Sequence, residues 1–232
     1  MSSVLDVAAR HLRDGKFVCV YDADGREEEV DLFVAAEHAT PAAVRTLRKD
    51  AGGLVFLAVD PRVGRALDLP FLQDLYAEDS ARHPVLQRLI PNDIKYDTRS
   101  SFSLTINHRK TFTGITDNDR SLTIQEFAKL AKAPDVEAFG QQFRAPGHVH
   151  LCVGADKLLH ERQGHTEIGV ALARLSGVVP VLAGCEMLAD NGRALSKADA
   201  QRWADAHEAL LLDGKAVEAA WMKLEATAAP SR

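Results

Sequence analysis

Between two short apolar runs, residues 21–37 read YDADGREEEVDLFVAAE and place Asp22, Asp24, Glu27, Glu28, Glu29 and Asp31 around a single cation, Arg26. Carboxylates crowded in this way repel one another, and a divalent cation with oxygen ligands would supply the missing positive charge. A solvated acidic hairpin is the plainer alternative for the same residues. Phe17-Val18-Cys19-Val20 in front and Leu32-Phe33-Val34-Ala35 behind have the β-branched and aromatic bias of strands, so the acidic residues are expected on a strand–loop–strand.

Further stretches concentrate polar groups. Arg162-Gln163-Gly164-His165-Thr166-Glu167 runs a glycine into a helix start, where free N–H groups and the helix dipole favour an anion. Arg162 and the Thr166 hydroxyl would complete a phosphate clamp, although a plain helix cap with an exposed histidine suits the same residues. Arg144-Ala145-Pro146-Gly147 is turn chemistry that delivers His148 to the start of a strand, a good place for an acid or base that works near neutral pH. A histidine satisfied at a strand end fits equally well, and His150 on the same face raises a two-histidine metal pair. Glu186, after Gly184-Cys185, stands either at the solvent end of an apolar strand or in a site. Thr111–Arg120, TFTGITDNDR, is dense in hydroxyls and carboxylates behind the cations of Asn107-His108-Arg109-Lys110, and a structural turn is its ordinary reading.

The elements that must position these groups follow from periodicity. Val4, Val7, Ala8 and Leu12 mark a first helix that ends at Asp14-Gly15. Thr40-Pro41 caps a helix reaching about Lys49, and Asp50–Gly53 turns into a strand at Leu54–Val59. Asp60-Pro61 opens a short helix, and residues 71–99 are irregular. Ser101–His108 alternates as a half-buried strand, and a helix burying Ile124, Phe127, Ala128 and Leu130 follows. His148–Val153 is a strand, and a helix begins near Thr166. Val178–Leu182 is another strand, continued past an irregularity at Gly184 by Cys185–Leu188. Ser196–His207 is the final helix, and the Ala-rich tail after about Met222 is expected to fray. No linker or repeat interrupts the 232 residues, which predicts α+β architecture in one domain: a mixed β-sheet with surrounding helices.

Composition narrows the class. A content of 46% hydrophobic and 26% charged residues is that of a globular protein, and a net charge of −5 argues against general nucleic-acid binding. Cys19, Cys152 and Cys185 are odd in number and lack CxxC spacing, which points to a reducing, cytoplasmic setting. Neither a signal peptide nor a membrane-spanning run is read.

Taken together the motifs resemble the 3,4-dihydroxy-2-butanone 4-phosphate synthase family of riboflavin biosynthesis. The resemblance rests on Arg26–Asp31 (REEEVD), Lys49–Leu54 (KDAGGL), Pro91–Arg120, Arg144–Val149 (RAPGHV), Arg162–Glu167 (RQGHTE) and Cys185–Met187 (CEM), in one order from about Leu5 to Leu212. It is closest to archaeal-type, single-function members. Val30 stands where many relatives have a small residue, Phe56 where a cysteine is often found, and Ala145 precedes the Pro-Gly; Val30 and Phe56 are expected to lie outside the chemistry.

The resemblance implies that family's fold and a lyase that converts D-ribulose 5-phosphate to L-3,4-dihydroxy-2-butanone 4-phosphate and formate. It implies a metal-stabilised enediolate and a skeletal rearrangement, with Mg2+ (or Mn2+ in its place) held by Glu27 and His165. His148 and Glu186 would be the catalytic pair. Arg26, Glu27, Asp31, Thr113, Asp117, Arg162, Gln163, Gly164, His165, Thr166 and Glu186 would bind substrate. A homodimer with sites near the subunit interface is implied as well, and the acidic loop would serve as a lid. A sugar-phosphate isomerase or aldolase-like lyase and a non-catalytic phosphate-binding regulator are the alternatives.

Overall fold

Val18–Tyr21 (VCVY) and Val181–Glu186 (VLAGCE) carry apolar side chains at consecutive positions, so neither segment can leave one face wet. The computed structural model, which describes residues 3–97 and 99–228, accordingly shows one sheet with helices on both faces. The chain opens with α1 (Val4–Arg13), β1 (Val18–Tyr21), β2 (Val30–Ala35) and α2 (Pro41–Thr46). A π-helical turn, Leu47–Ala51, leads to β3 (Phe56–Val59), α3 (Pro61–Ala66), α4 (Leu72–Glu78) and α5 (Val85–Arg88). Next come β4 (Phe102–His108), α6 (Asp117–Ala131), α7 (Val136–Gln142) and β5 (Phe143–Val153). The remainder holds α8 (His165–Ser176), β6 (Val181–Glu186), α9 (Lys197–Ala206), β7 (Leu210–Asp213) and α10 (Gly214–Ala228).

The strand order is β4-β5-β3-β6-β2-β1-β7. β3 with β5 and β1 with β7 are parallel pairs, and the others are antiparallel, so the sheet is mixed as the sequence predicts. Successive strand residues serve opposite cores. Cys19, Leu32 and Ala183 pack with Val44 of α2, Phe127 of α6 and Ala204 of α9, while Val18, Phe33 and Leu182 pack with Leu12 of α1, Leu172 of α8 and Trp221 of α10. No described helix is long and apolar enough to cross a membrane.

Several local expectations are corrected. Arg144–Gly147 is no turn ahead of a strand: it lies inside β5, where Asn107 pairs with Arg144 and Ile106 with Val149, so residues 145–148 bulge between two stretches of ladder. Gly147 belongs there because a Cβ would lie 2.0 Å from the Ile106 carbonyl carbon. β6 runs through Gly184 without a break. That glycine is required because a Cβ would strike the Phe33 ring at 2.5 Å. The helix at Ser196 is not the last, since β7 and α10 follow it. The stretch past Met222 stays helical to Ala228, and Val217 and Trp221, one turn apart, bury the same face of α10. Residues 229–232 of the expected frayed tail lie outside the described residues.

Candidate active site

β1 and β2 pair with Val20 opposite Asp31 and Tyr21 opposite Val30, which brings residues 22–29 out at one end of the sheet. Asp22 is 2% exposed and accepts the N–H groups of Glu27 (2.9 Å) and Glu29 (3.1 Å) and Nη1 of Arg26 (3.3 Å). Asp24 accepts the Tyr21 hydroxyl at 2.8 Å, and Glu28 accepts the Gly25 N–H at 2.8 Å. The carboxylates therefore fall into two groups. Asp22, Asp24 and Glu28 fold the loop, while Glu27, Glu29 and Asp31 line a cavity of about 360 Å³. Val30 is buried core at the root of β2.

α8 supplies the opposite wall. Its N-cap residue is Gly164, which has no side chain to offer, so the first N–H groups of the helix take no bond from an N-cap side chain. A Cβ on Gly164 would lie 2.1 Å from Nη1 of Arg162, so only glycine lets that guanidinium close in. His165 opens the helix with Nδ1 3.1 Å from Oε2 of Glu27 and Nε2 3.7 Å from Oδ1 of Asp31. Asp31 Oδ1 and His165 Nε2 are both buried without a hydrogen-bond partner. Thr166 Oγ1 lies 3.1 Å from Ser101 Oγ.

Glu186 ends β6 opposite Asp31. Its Oε2 accepts the Leu54 N–H at 2.7 Å and its carbonyl accepts the Gly53 N–H at 3.0 Å. A Cβ on Gly53 would lie 2.5 Å from that Oε2, which gives the Gly-Gly of Lys49–Leu54 a steric reason. Glu186 lines the same cavity as Glu27, Glu29 and Asp31.

Sequence pattern alone misses part of the lining. Asp97 Oδ2 sits between Arg26 Nη2 (2.8 Å) and Arg162 Nε and Nη2 (2.9 and 2.5 Å). Arg162 Nη1 meets Glu167 Oε2 at 2.6 Å, and fully buried Glu167 also accepts the Ala155 N–H at 2.9 Å. Tyr96, Ser101 and Cys152 also line the cavity. The available signal was the polar density around Asp97 in a stretch with no helical or strand period. Phe56, expected outside the chemistry, forms part of the wall as well, packed edge-on against Phe33 at 6.0 Å between centroids.

Burial and charge compete here. Burial pulls His165 towards the neutral form, but Asp31, Glu27 and Asp22 overcome it and raise its pKa. Asp31 is raised by burial above all, with His165 opposing. Glu27 is lowered despite burial, because His165 and Arg26 stabilise its carboxylate. The Cys152 thiol is pushed up to about 12 by burial and is no nucleophile at neutral pH. An imidazolium among carboxylates is thus the site's internal counter-charge, and a cation must displace its proton to bind there. Asp22, Glu27 and His165 offer ligand atoms within 4.8 Å of one another. Because the Asp22 oxygens already accept N–H groups, Glu27 and His165 have the freer donor atoms. The donor set and the two orphaned polar atoms fit a hard divalent ion.

Other residues expected in the site lie elsewhere. His148 sits exposed on the β5 bulge and does not line the cavity; Asn107 Oδ1 accepts its N–H at 2.9 Å and Asn107 Nδ2 donates to its Nδ1 at 3.1 Å. Thr113 is exposed beside Gly114, whose Cα is pressed so close to Asn107 that a Cβ would overlap its amide. Asp117 does not reach the cavity: Arg48 forks onto its carboxylate at 2.7 and 2.9 Å and Arg120 adds a contact at 3.3 Å, which makes it a fastener of α6. Gln163 points away too, donating to Glu218 at 2.8 Å.

Residues 6–220 match the family model described as 3,4-dihydroxy-2-butanone 4-phosphate synthase. The chain is 44% identical to the protein of that name from Methanothermobacter thermautotrophicus over 221 residues, covering 95% of this chain and 96% of the relative. It is 43% identical to the one from Archaeoglobus fulgidus over 90% of each. A crystal structure of a 3,4-dihydroxy-2-butanone 4-phosphate synthase in a cation-free form superposes with a TM-score of 0.73 at 26% identity, covering 97% of this chain and all of that one. Another, in complex with two magnesium ions, gives 0.69 at 26% identity over 93% and 94% of the two chains.

Proposed function

The chain belongs to the 3,4-dihydroxy-2-butanone 4-phosphate synthase family, and we propose that the cavity between the acidic loop and α8 is where it performs the family's reaction. The protein is a lyase of riboflavin biosynthesis that converts D-ribulose 5-phosphate to L-3,4-dihydroxy-2-butanone 4-phosphate and formate. The observation that carries the site is the pair Asp31 Oδ1 and His165 Nε2, buried 3.7 Å apart beside Glu27 and neither of them hydrogen-bonded.

Glu27 and His165 would hold Mg2+, or Mn2+ in its place, with Asp22 fixing the loop behind them. When bound, the cation supplies a Lewis acid that stabilises negative charge developing on substrate oxygens. The uncapped first turn of α8, the Thr166 hydroxyl and Arg162 form the phosphate seat. Asp31 and Arg26 orient substrate hydroxyls. Glu186, held by the Leu54 N–H, exchanges a proton with the substrate backbone. The enclosed wall of Phe56 and Cys152 limits water around the reactive dicarbonyl.

His148 completes this chemistry from a second copy of the chain. It shares an exposed patch with Thr113, and the neighbouring Phe112 and Ile115 are 93% and 51% exposed, an apolar surface that a partner subunit would cover. The Asn107 amide occupies His148 Nδ1, which leaves Nε2 as the nitrogen such a partner's cavity would use. Cys19, Cys152 and Cys185 are free and buried, which supports a reducing, cytoplasmic setting.

A formate assay on purified protein, ribulose 5-phosphate and Mg2+, with an EDTA control, tests the reading. The expected result is metal-dependent formate in step with substrate loss. Substrate loss without formate would assign an isomerase to this site, and no turnover with any of several divalent metals would leave only a phosphate-binding role.

A further inference from the structure

We propose that Asp97 is a positioning residue for the cation site: its carboxylate holds Arg162 and Nη2 of Arg26, so that Arg26 meets Glu27 through one nitrogen only. This rests on the reading of Glu27 as a ligand. Arg26 already leans on Glu27, with Nη1 3.1 Å from Oε1, and its other terminal nitrogen is held by Asp97 at 2.8 Å. The Tyr96 ring lies 5.5 Å from the same guanidinium, so two adjacent residues restrain Arg26. Without Asp97, Nη2 loses its ion-pair partner, and only the Tyr96 ring and Asp22, 3.3 Å from Nη1, remain to keep Arg26 from turning both terminal nitrogens onto Glu27. A carboxylate taken in such a fork is neutralised and no longer offers a free oxygen to a cation.

Arg162 is restrained in the same way. Glu167 pins Nη1, and Asp97 takes Nε and Nη2 through the one oxygen that also meets Arg26. That oxygen joins three segments far apart in the chain: the acidic loop, the approach to α8 and the irregular stretch before β4. Both guanidiniums keep other carboxylate partners, Arg26 in Asp22 and Glu27 and Arg162 in Glu167, so loss of Asp97 leaves them charged on the side where a phosphate dianion is seated. Removing the Asp97 charge therefore has opposed effects: it weakens cation binding and does not weaken phosphate binding.

The test measures free Mn2+ by electron paramagnetic resonance during titration of the full-length protein, alongside KM and kcat at saturating metal. Asp97→Asn is expected to bind Mn2+ about tenfold more weakly, the scale of coupling within a charged network, with no rise in KM for ribulose 5-phosphate. Asp97→Glu is expected to restore most of the affinity, and an unchanged thermal midpoint separates both effects from loss of fold. In an Arg26→Met background the Asp97→Asn effect should shrink to about half or less in logarithmic terms. Equal Mn2+ affinity of wild type and Asp97→Asn overturns the inference, as does an effect of the same size in both backgrounds. Wild type that binds no Mn2+ overturns the metal reading itself, a distinguishable failure that takes this inference with it.

Discussion

Asp60 is fully buried at the N-cap of α3 and is held by Arg174 at 2.5 and 2.7 Å and by the Arg62 N–H at 2.7 Å. Burial alone would raise its pKa, but the hydrogen bonds from Arg174 and Arg62 prevail and hold it below the usual carboxylate range. The folded-state pKa is thus below the unfolded one, so the unfolded chain binds the proton more readily. The stabilisation is complete above about pH 4, the unfolded value, and is lost as the pH falls through the folded value. Asp60→Asn should cost about 3 kcal/mol at neutral pH, and the gap from wild type should stay constant down to about pH 5 and close below it. Urea midpoints of both proteins across that range check the sign; a gap that widens in acid would refute it. Glu27, His165 and Glu186 stood out because their residue types sit beside an acidic run, a glycine or an apolar strand, but each kept a plainer reading until the family resemblance joined them. Asp97 was not, because its meaning lies in arginines 71 and 65 residues away.

Elements carry the placement of these residues. The π-helical turn Leu47–Ala51 ends at Gly52 with φ 89°, and so delivers Gly53 and Leu54 against Glu186. Gly53→Ala should displace the Glu186 side chain, lowering kcat about 100-fold while costing only about 1–3 kcal/mol of stability. Turnover and thermal midpoint measured together decide this, and a normal kcat would show that Glu186 tolerates the shift. The strands were legible where apolar runs serve both cores, except β7, whose short Leu210–Leu212 run went unread behind the helix at Ser196. The β5 bulge was not, because Pro146-Gly147 has the local chemistry of a turn and only the pairing of Phe143 and Arg144 with β4 keeps the strand going. α10 was hidden behind its alanines, since its evidence is the burial of Val217 and Trp221 against a distant face.

For the whole molecule, the proposed delivery of His148 from a second chain would make activity a property of two chains. Glu27→Gln and His148→Ala should each be inactive and folded. After subunit exchange, an equal mixture should recover about one quarter of wild-type activity, because half the dimers are mixed and each mixed dimer has one intact site of two. No recovery after demonstrated exchange would mean that every chain furnishes both residues to its own cavity. The uncapped N-terminus of α8 has a consequence for such assays. As the proposed phosphate seat, its amides would recognise an oxyanion without reading the carbon skeleton attached to it, and the product retains the phosphate that the substrate brought. Inorganic phosphate, sulfate and the accumulating product therefore compete for one berth. Initial rates at subsaturating substrate should be lower in phosphate buffer than in a buffer of amines and chloride, with KM raised and kcat unchanged.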